Sequence, residues 1–552
     1  MKDITDGTPI PNFYRCRSIF ITGATGFMGK ILIEKLVRSC PEIGCVYLLI
    51  RPTPTKDVPL RLRELTNCQV FDWLRQHRPD ALEKLIPVSG DVSLPNLGIE
   101  ASILQELEEN VSVVFNSAAR VKFDDNLRSA IDANVKGPKR VAIFCQKLKN
   151  LKAFVHVSTA FNNLDKDELA EEIFPTSVDP ENLMNFVDSI DDQMLASITK
   201  QLVGKCPNVY AYSKALGEQL LRNLCECDEQ RLPLVIVRPS IVTAALSEPL
   251  PGWIDNLNGP SGMIVGIAKG LVRTVRVDKR LVADLIPVDI AINLMIASAW
   301  DRASSYTLAQ MIPVYHCSSG SLNPIRWEDF SRYGTRAGEK FPMKTEIMWY
   351  PSASLRTNGF AFKFEVALYH YLPAFVVDTV AVLCWKKPFL TRLYKKVHKA
   401  MSCLEFYTMR QWHFVSRNPD LLLEKMSAED RNTYNFDVRK INWESYMESY
   451  VLGVRKYLLK EDSSTLDLRR SNLKMMKRLR TLIRLVMIGL VALFFHYLLK
   501  VSSLSFIHSH EELAGNYSST VADLEIGCNE TLTALTLKSH ILPQNYILDK
   551  CL

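Results

Sequence analysis

No apolar run opens this chain. MKDITDGTPIPNFYRC has none of the continuous hydrophobicity of a secretory signal, so the bulk of the protein is expected on the cytosolic side. Cysteine is present at 13 positions but scattered singly, with no pair at zinc-ligand spacing, which excludes a disulfide framework and offers no metal site. One-signed charge is also scarce: 67 Lys and Arg face 60 Asp and Glu, for a net charge of +7. Much of that excess sits in one cluster, Arg469 to Arg484 (RRSNLKMMKRLRTLIR), so no nucleic-acid-binding face is expected and a membrane surface is the favoured partner. Neither a fixed-period repeat nor a long low-complexity tract is present, which removes solenoids and disordered scaffolds.

What is there is a rhythm. From Ser18, short continuous apolar runs (SIFIT, CVYLLI, IPVSG, VSVVFNSA, AFVHVSTA, PLVIVRPS) alternate with amphipathic stretches such as GKILIEKLV and AIFCQKL. Strands buried on both faces and alternating with helices predict an α/β fold, a Rossmann-type doubly wound parallel sheet. At 552 residues the chain is too long for one core. The expected units are an N-terminal extension over 1–17, a dinucleotide-binding reductase domain over 18–355 and a smaller helical C-terminal domain over 356–465.

The run ITGATGFMGK, Ile21 to Lys30, sits between the first strand and the first helix. In that position Gly23 permits a tight turn, Gly26 lets a pyrophosphate approach the backbone, and Gly29 lets the helix pack against the strand. Thr22, Thr25 and Phe27 complete the expected cofactor loop, and the helix N-terminus offers free N–H groups to phosphate. After the second strand, where NAD enzymes usually hold a carboxylate, stands Arg51; a guanidinium there pairs with a 2′-phosphate, so NADPH is the expected cofactor. Asp91 in SGDV is placed to bind the adenine amine, and Asn116, Ala118 and Ala119 in NSAA are small enough for the dinucleotide to lie close.

Chemistry is expected at the carboxyl ends of the later strands. VHVSTAF ends a strand with Ser158 and Thr159, and NVYAYSKALGE opens a helix whose Tyr210 and Lys214 share a face at i, i+4. A lysine beside a phenol lowers the phenol pKa, so Tyr210 is expected to deliver a proton to the oxygen of a carbonyl receiving hydride. Thr159 or Ser158 would hydrogen-bond that oxygen.

Together with YLLIRP, GDVSLPNLGI, NSAARVKFDD, VRPSIV, EPLPGWIDNLNGPSG, DLIPVDIAIN and HYLPAF, these motifs make the chain resemble an extended short-chain dehydrogenase. More narrowly, from about Ile19 to Asp462 it is similar to the alcohol-forming fatty acyl-CoA reductases, which PGWIDN and IPVD mark most specifically. The resemblance implies NADPH-dependent reduction of a long-chain acyl-CoA to a primary alcohol: one hydride gives a hemithioacetal that loses coenzyme A, and a second reduces the aldehyde. FNN after VSTA, Arg120 and YAYSK depart from the usual pattern and bear on substrate fit. The competing readings are an extended dehydrogenase acting on a sugar nucleotide or steroid, and a catalytically silent membrane-tethered relative. A homo-oligomer is compatible with the resemblance.

Two segments attract a membrane reading. Phe364 to Trp385 is apolar but interrupted by Pro373 and Asp378, which favours a buried or membrane-surface hairpin, and it is the candidate acyl tunnel or mouth. Residues 485–507, behind a basic juxtamembrane segment over 466–484, form the expected single transmembrane helix. The positive-inside rule keeps the catalytic part cytosolic and sends the tail, 508–552, to a lumen, where the sequons at Asn516 and Asn529 fit the endoplasmic reticulum; a peroxisomal site is the alternative. A further sequon at Asn110 precedes a predicted buried strand, so sequons weigh little here.

Overall fold

The computed structural model describes residues 9–227, 232–305, 311–344 and 350–527; Asn529 and the rest of the tail from 528 lie outside the described residues. The described residues up to Met476 form one compact unit and those from Lys477 a second.

The first unit is organised by a seven-stranded, all-parallel sheet. Its strands are β1 (Ser18–Thr22), β2 (Val46–Ile50), β3 (Leu85–Ser89), β4 (Val111–Asn116), β5 (Ala153–Val157), β6 (Leu234–Pro239) and β7 (Val314–Cys317). They lie in the order β7-β6-β5-β4-β1-β2-β3. Alternate side chains of each strand enter opposite cores: Ile19 and Ile21 of β1 join one apolar cluster with Val113, Val155 and Val235, whereas Phe20 joins another with Val114, Phe154 and Leu234. That is why these runs read as continuously apolar rather than alternating. The strand order reverses between β1 and β4, the place where ligands bind in such sheets. The edge strand β7 pairs with β6 through Val314–Cys317.

The helices that position the site are α1 (Phe27–Ser39), α2 (Val209–Cys227), α3 (Pro260–Ala268), α4 (Trp327–Lys340), α5 (Gly359–Leu383), α6 (Leu390–Thr408) and α7 (Leu466–Gly527). Short parallel pairings tie the C-terminal region to the reductase half: Ser354–Arg356 with Thr274–Arg276, and His413–Phe414 with Glu168–Leu169.

Helix α5 is long and apolar enough to cross a membrane, at a mean hydropathy of 1.6. Ile488–Lys500, at the heart of the segment expected to span, forms a shorter apolar helix within α7. Both interruptions in α5 are accommodated locally. Pro373 follows a π-turn over Ala367–Tyr371, which absorbs the ring without ending the helix. Asp378 accepts the backbone N–H groups of Phe389 (2.9 Å), Leu390 (2.9 Å) and Thr391 (2.8 Å), capping α6 and closing an α5–α6 hairpin. Asn110 closes the helix Ala101–Asn110, and Asn516 lies in α7.

Candidate active site

The glycine loop owes its shape to backbone crowding. Gly23 has φ +73°, and a Cβ there would meet the backbone of Ser117 and Ala118 within 2.8 Å; one on Gly29 would strike the carbonyl oxygens of Gly23 and Ala24. At Gly26 a Cβ would meet only the Gly23 oxygen, at 3.1 Å. Gly26 is also the N-cap of α1 and supplies no capping side chain, so no side chain of the cap occupies the first-turn N–H groups. An open glycine at an uncapped helix N-terminus fits the pyrophosphate of a dinucleotide.

Behind this loop the strand ends are bolted together. Thr22 Oγ1 donates to Asn116 Oδ1 (2.7 Å) and accepts from Ala118 N (3.2 Å), while Ser117 Oγ donates to the Thr22 carbonyl (3.0 Å). Asn116 Nδ2 reaches His156 Nδ1 at 3.1 Å, and burial holds His156 neutral, far below the usual imidazole pKa. Asn116 therefore organises the floor of the cleft; Ala118 and Ala119, more open, form its edge.

At the end of β2, Arg51 is exposed and lies 3.5 Å from Asp91, so the two expected adenosine-end residues face each other. Asp91 also accepts from Ser93 N at 2.9 Å. The arrangement contains a second guanidinium that local sequence did not flag. Arg61 donates to the Arg51 carbonyl and to Thr25 Oγ1 (3.1 Å), bridging the β2 end to the glycine loop.

The residues expected to react, Thr159, Tyr210 and Lys214, gather at the end of β5. Thr159 Oγ1 accepts from Phe161 N (3.2 Å), and its hydroxyl stands by Tyr210, where it lowers the phenol pKa. Ser158 Oγ is buried and has no hydrogen-bond partner, so Thr159 rather than Ser158 is coupled to the tyrosine. Lys214, 2% exposed, donates from Nζ to the Val157 carbonyl at 2.8 Å. Burial lowers its pKa to about 8, partly opposed by Glu218. Tyr210 departs from the sequence expectation: burial pushes its pKa up to about 12 rather than down, with the Thr159 hydrogen bond only partly offsetting it. The lysine is held on the strand carbonyl and does not lower the phenol.

An aromatic wall closes this end. Phe123 lies 5.8 Å from Tyr210 and 5.5 Å from Tyr407, whose hydroxyl accepts from Asn208 Nδ2 at 2.8 Å. Phe161, first residue of the unusual FNN, packs edge-on to Tyr407 at 5.2 Å; Asn162 donates to Glu218 Oε1 at 2.7 Å. Arg120, the other departure, pairs with Asp125. On the opposite side, the PGWIDN segment covers the cofactor loop: Trp253 stacks on Phe27 at 5.5 Å and Asp255 pairs with Lys30 at 2.8 Å. Val376 and Val377, expected in an acyl tunnel, are exposed on α5. Among the described residues no group of three or more His, Cys, Asp or Glu is placed to hold a metal ion.

Two family models match, both described as male sterility protein: an NAD-binding one over residues 21–295 and a second over 369–461. Fatty acyl-CoA reductase 1 of Gallus gallus is 37% identical over 471 residues, 85% of this chain and 90% of that protein. Fatty acyl-CoA reductase 2 of Bos taurus is 37% identical over 473 residues, 86% of this chain and 90% of that protein. Among solved structures, the reductase domain of a non-ribosomal peptide synthetase from Mycobacterium tuberculosis shares the fold. It has a TM-score of 0.53 at 18% identity, covering 82% of this chain and 93% of that one. With relatives 37% identical that match along nearly their whole length, the chain belongs to the fatty acyl-CoA reductase family.

Proposed function

We propose that the chain reduces long-chain fatty acyl-CoA to the primary alcohol, consuming NADPH in both of two successive reductions and releasing coenzyme A. The carrying observation is Tyr210 beside Thr159 at the end of β5, with a glycine loop shaped for a dinucleotide, in a chain of this family. NADPH, when bound along the loop, supplies the hydride. Thr159 orients the carbonyl oxygen, and Tyr210 gives it a proton in each reduction. After the first, the hemithioacetal collapses, the carbon–sulfur bond breaks and the thiol leaves. The aldehyde stays against the Phe123 and Tyr407 rings for the second. Lys214, anchored on the Val157 carbonyl, keeps a positive charge beneath the cleft. Membrane fractions of expressing cells, given NADPH and labelled acyl-CoA esters, should form alcohol with two NADPH oxidised per alcohol. Turnover only with a nucleotide sugar or hydroxysteroid would move the chain to another branch of the dehydrogenases.

Arg51 and Arg61 support NADPH over NADH, because together they put two guanidinium groups where a 2′-phosphate would lie. Arg51→Ala with Arg61→Ala should raise KM for NADPH by about 10–100-fold, the worth of one or two charge-assisted hydrogen bonds, and leave KM for NADH nearly unchanged. Equal losses with both cofactors would remove the arginines from this role.

We assign two membrane contacts. The basic cluster before residues 485–507 supports an anchor with the catalytic unit on the cytosolic side, at the endoplasmic reticulum or peroxisome. The α5–α6 hairpin supports a second contact lying in the interface. Phe364, Phe375, Val380 and Leu383 are exposed, Trp385 at the tip is 98% exposed, and Lys386, Lys387, Arg392, Lys395 and Lys396 follow. A chain ending at Met476 should still pellet with membranes in low salt, and Val376→Asp with Val380→Asp should release it. Release of the truncated chain before those substitutions would leave α7 as the sole anchor.

A further inference from the structure

We propose that the acyl chain lies in an apolar cavity between α3, α4 and the end of α6, and that two glycines of α4 keep it open; this rests on the acyl-CoA reading above. The cavity measures about 90 Å³, room for several methylene groups of a chain, and opens to solvent at its mouth. Met263, Ile267, Val275, Phe330, Leu355 and Val451 are among its walls.

The void originates in one helix face. Along α4 the lining positions include Trp327, Phe330, Gly334 and Gly338, so two large side chains give way to two glycines on successive turns. Neither glycine is demanded by the backbone. A Cβ on Gly338 would meet nothing within 4 Å, and one on Gly334 would only touch the Met447 methyl at 3.5 Å. Glycine inside a helix is less stable than alanine, so helix formation does not explain the pair. Room for a ligand does.

The cavity is also placed where the thioester must be. Helix α3 starts immediately after the segment whose Trp253 and Asp255 hold the cofactor loop. The last turn of helix α6 carries Tyr407, against Phe123 and Asn208, and its last residue, Thr408, lines the cavity. A chain seated here would pass Thr408, Tyr407 and Phe123 to bring its carbonyl end toward Tyr210. Met263, Val275 and Thr408 also line a second cavity, which reaches Phe362 on α5 and Met401 on α6. The route thus runs from the active site to the hairpin assigned to the bilayer surface.

The test compares kcat/KM for stearoyl-CoA and decanoyl-CoA, with NADPH, in membrane fractions. Gly338→Leu should lower the stearoyl-to-decanoyl ratio about tenfold, the equivalent of roughly two buried methylenes. Gly338→Ala should leave the ratio near wild type and raise the melting temperature. If Gly338→Leu does not fold, Ile267→Phe, filling the space from the opposite wall, must lower the same ratio. A folded filling variant whose two kcat/KM values fall equally, or not at all, overturns the cavity assignment while the acyl-CoA reading stands. A wild type that reduces neither ester overturns that reading and the cavity with it.

Discussion

Tyr210→Phe is expected to lower alcohol formation by about 10²–10⁴-fold, the usual cost of losing a positioned general acid, with NADPH binding and melting temperature close to wild type. Burial keeps the phenol pKa up at about 12, so at neutral pH Tyr210 is fully protonated and ready to donate. The group that titrates near working pH is Lys214, lowered to about 8. Its charge is present below that value and is lost as pH rises through it. The alkaline limb of kcat/KM should therefore bend near 8 rather than near 12. Lys214→Arg, which keeps its charge, should move that limb upward. Retention of more than a tenth of the wild-type rate in Tyr210→Phe would assign the proton to another group, with the unpartnered Ser158 hydroxyl the first to examine.

The strands and the cofactor loop were legible because both are local. Short continuous β-branched runs bounded by turn residues read as strands covered on both faces, and Gly23, Gly26 and Gly29 each answer to a neighbour a few residues away or to the adjacent strand end. Legibility ended where partners are remote. The Asn208–Tyr407 hydrogen bond joins residues 199 positions apart and Lys30–Asp255 spans 225, so no window of sequence contains either. Arg61 could have been suspected only by asking which side chain crosses from the helix after β2 to the glycine loop. The acidity of Tyr210 failed for a different reason. The i, i+4 spacing correctly puts Lys214 on its face of α2, but spacing carries no information about desolvation, and burial is the larger influence on both groups. The acyl route was sought in the most apolar segment; much of that segment is exposed, and the cavity proposed for the chain lies instead beside two glycines of α4, which no apolar run marks.

Arg238→Leu should destabilise the first unit by about 3–5 kcal/mol, since it leaves a carboxylate buried without its partner. Arg238 is 0% and Glu218 1% exposed; the guanidinium donates to Glu218 through Nε (2.9 Å) and Nη2 (2.5 Å) and to the Glu172 carbonyl at 2.7 Å. A third contact fixes a tautomer. Arg238 Nη1 donates to His316 Nε2 at 3.1 Å, so His316 must carry its proton on Nδ1, toward the Val415 carbonyl at 2.7 Å. Burial, then the arginine charge, lower the His316 pKa from 6.5 to about 3. A depressed folded pKa means that stability is intact above 6.5 and declines as pH falls toward 3, so acid should melt the wild type in that window. Glu218 stands one turn from Lys214 on α2 and raises its pKa, so the pair also sets the charge beneath the active site. Replacing both partners, Glu218→Leu with Arg238→Leu, should recover part of the loss in melting temperature, because neither member of the ion pair is then left buried without the other, but Lys214, His316 Nε2 and Asn162 still lose a partner. The double variant should also lower the alkaline limb of the rate profile below 8, Lys214 having lost its carboxylate. A double variant no more stable than Arg238→Leu alone would show that the arginine's carbonyl and histidine contacts, not the ion pair, hold this part of the sheet together.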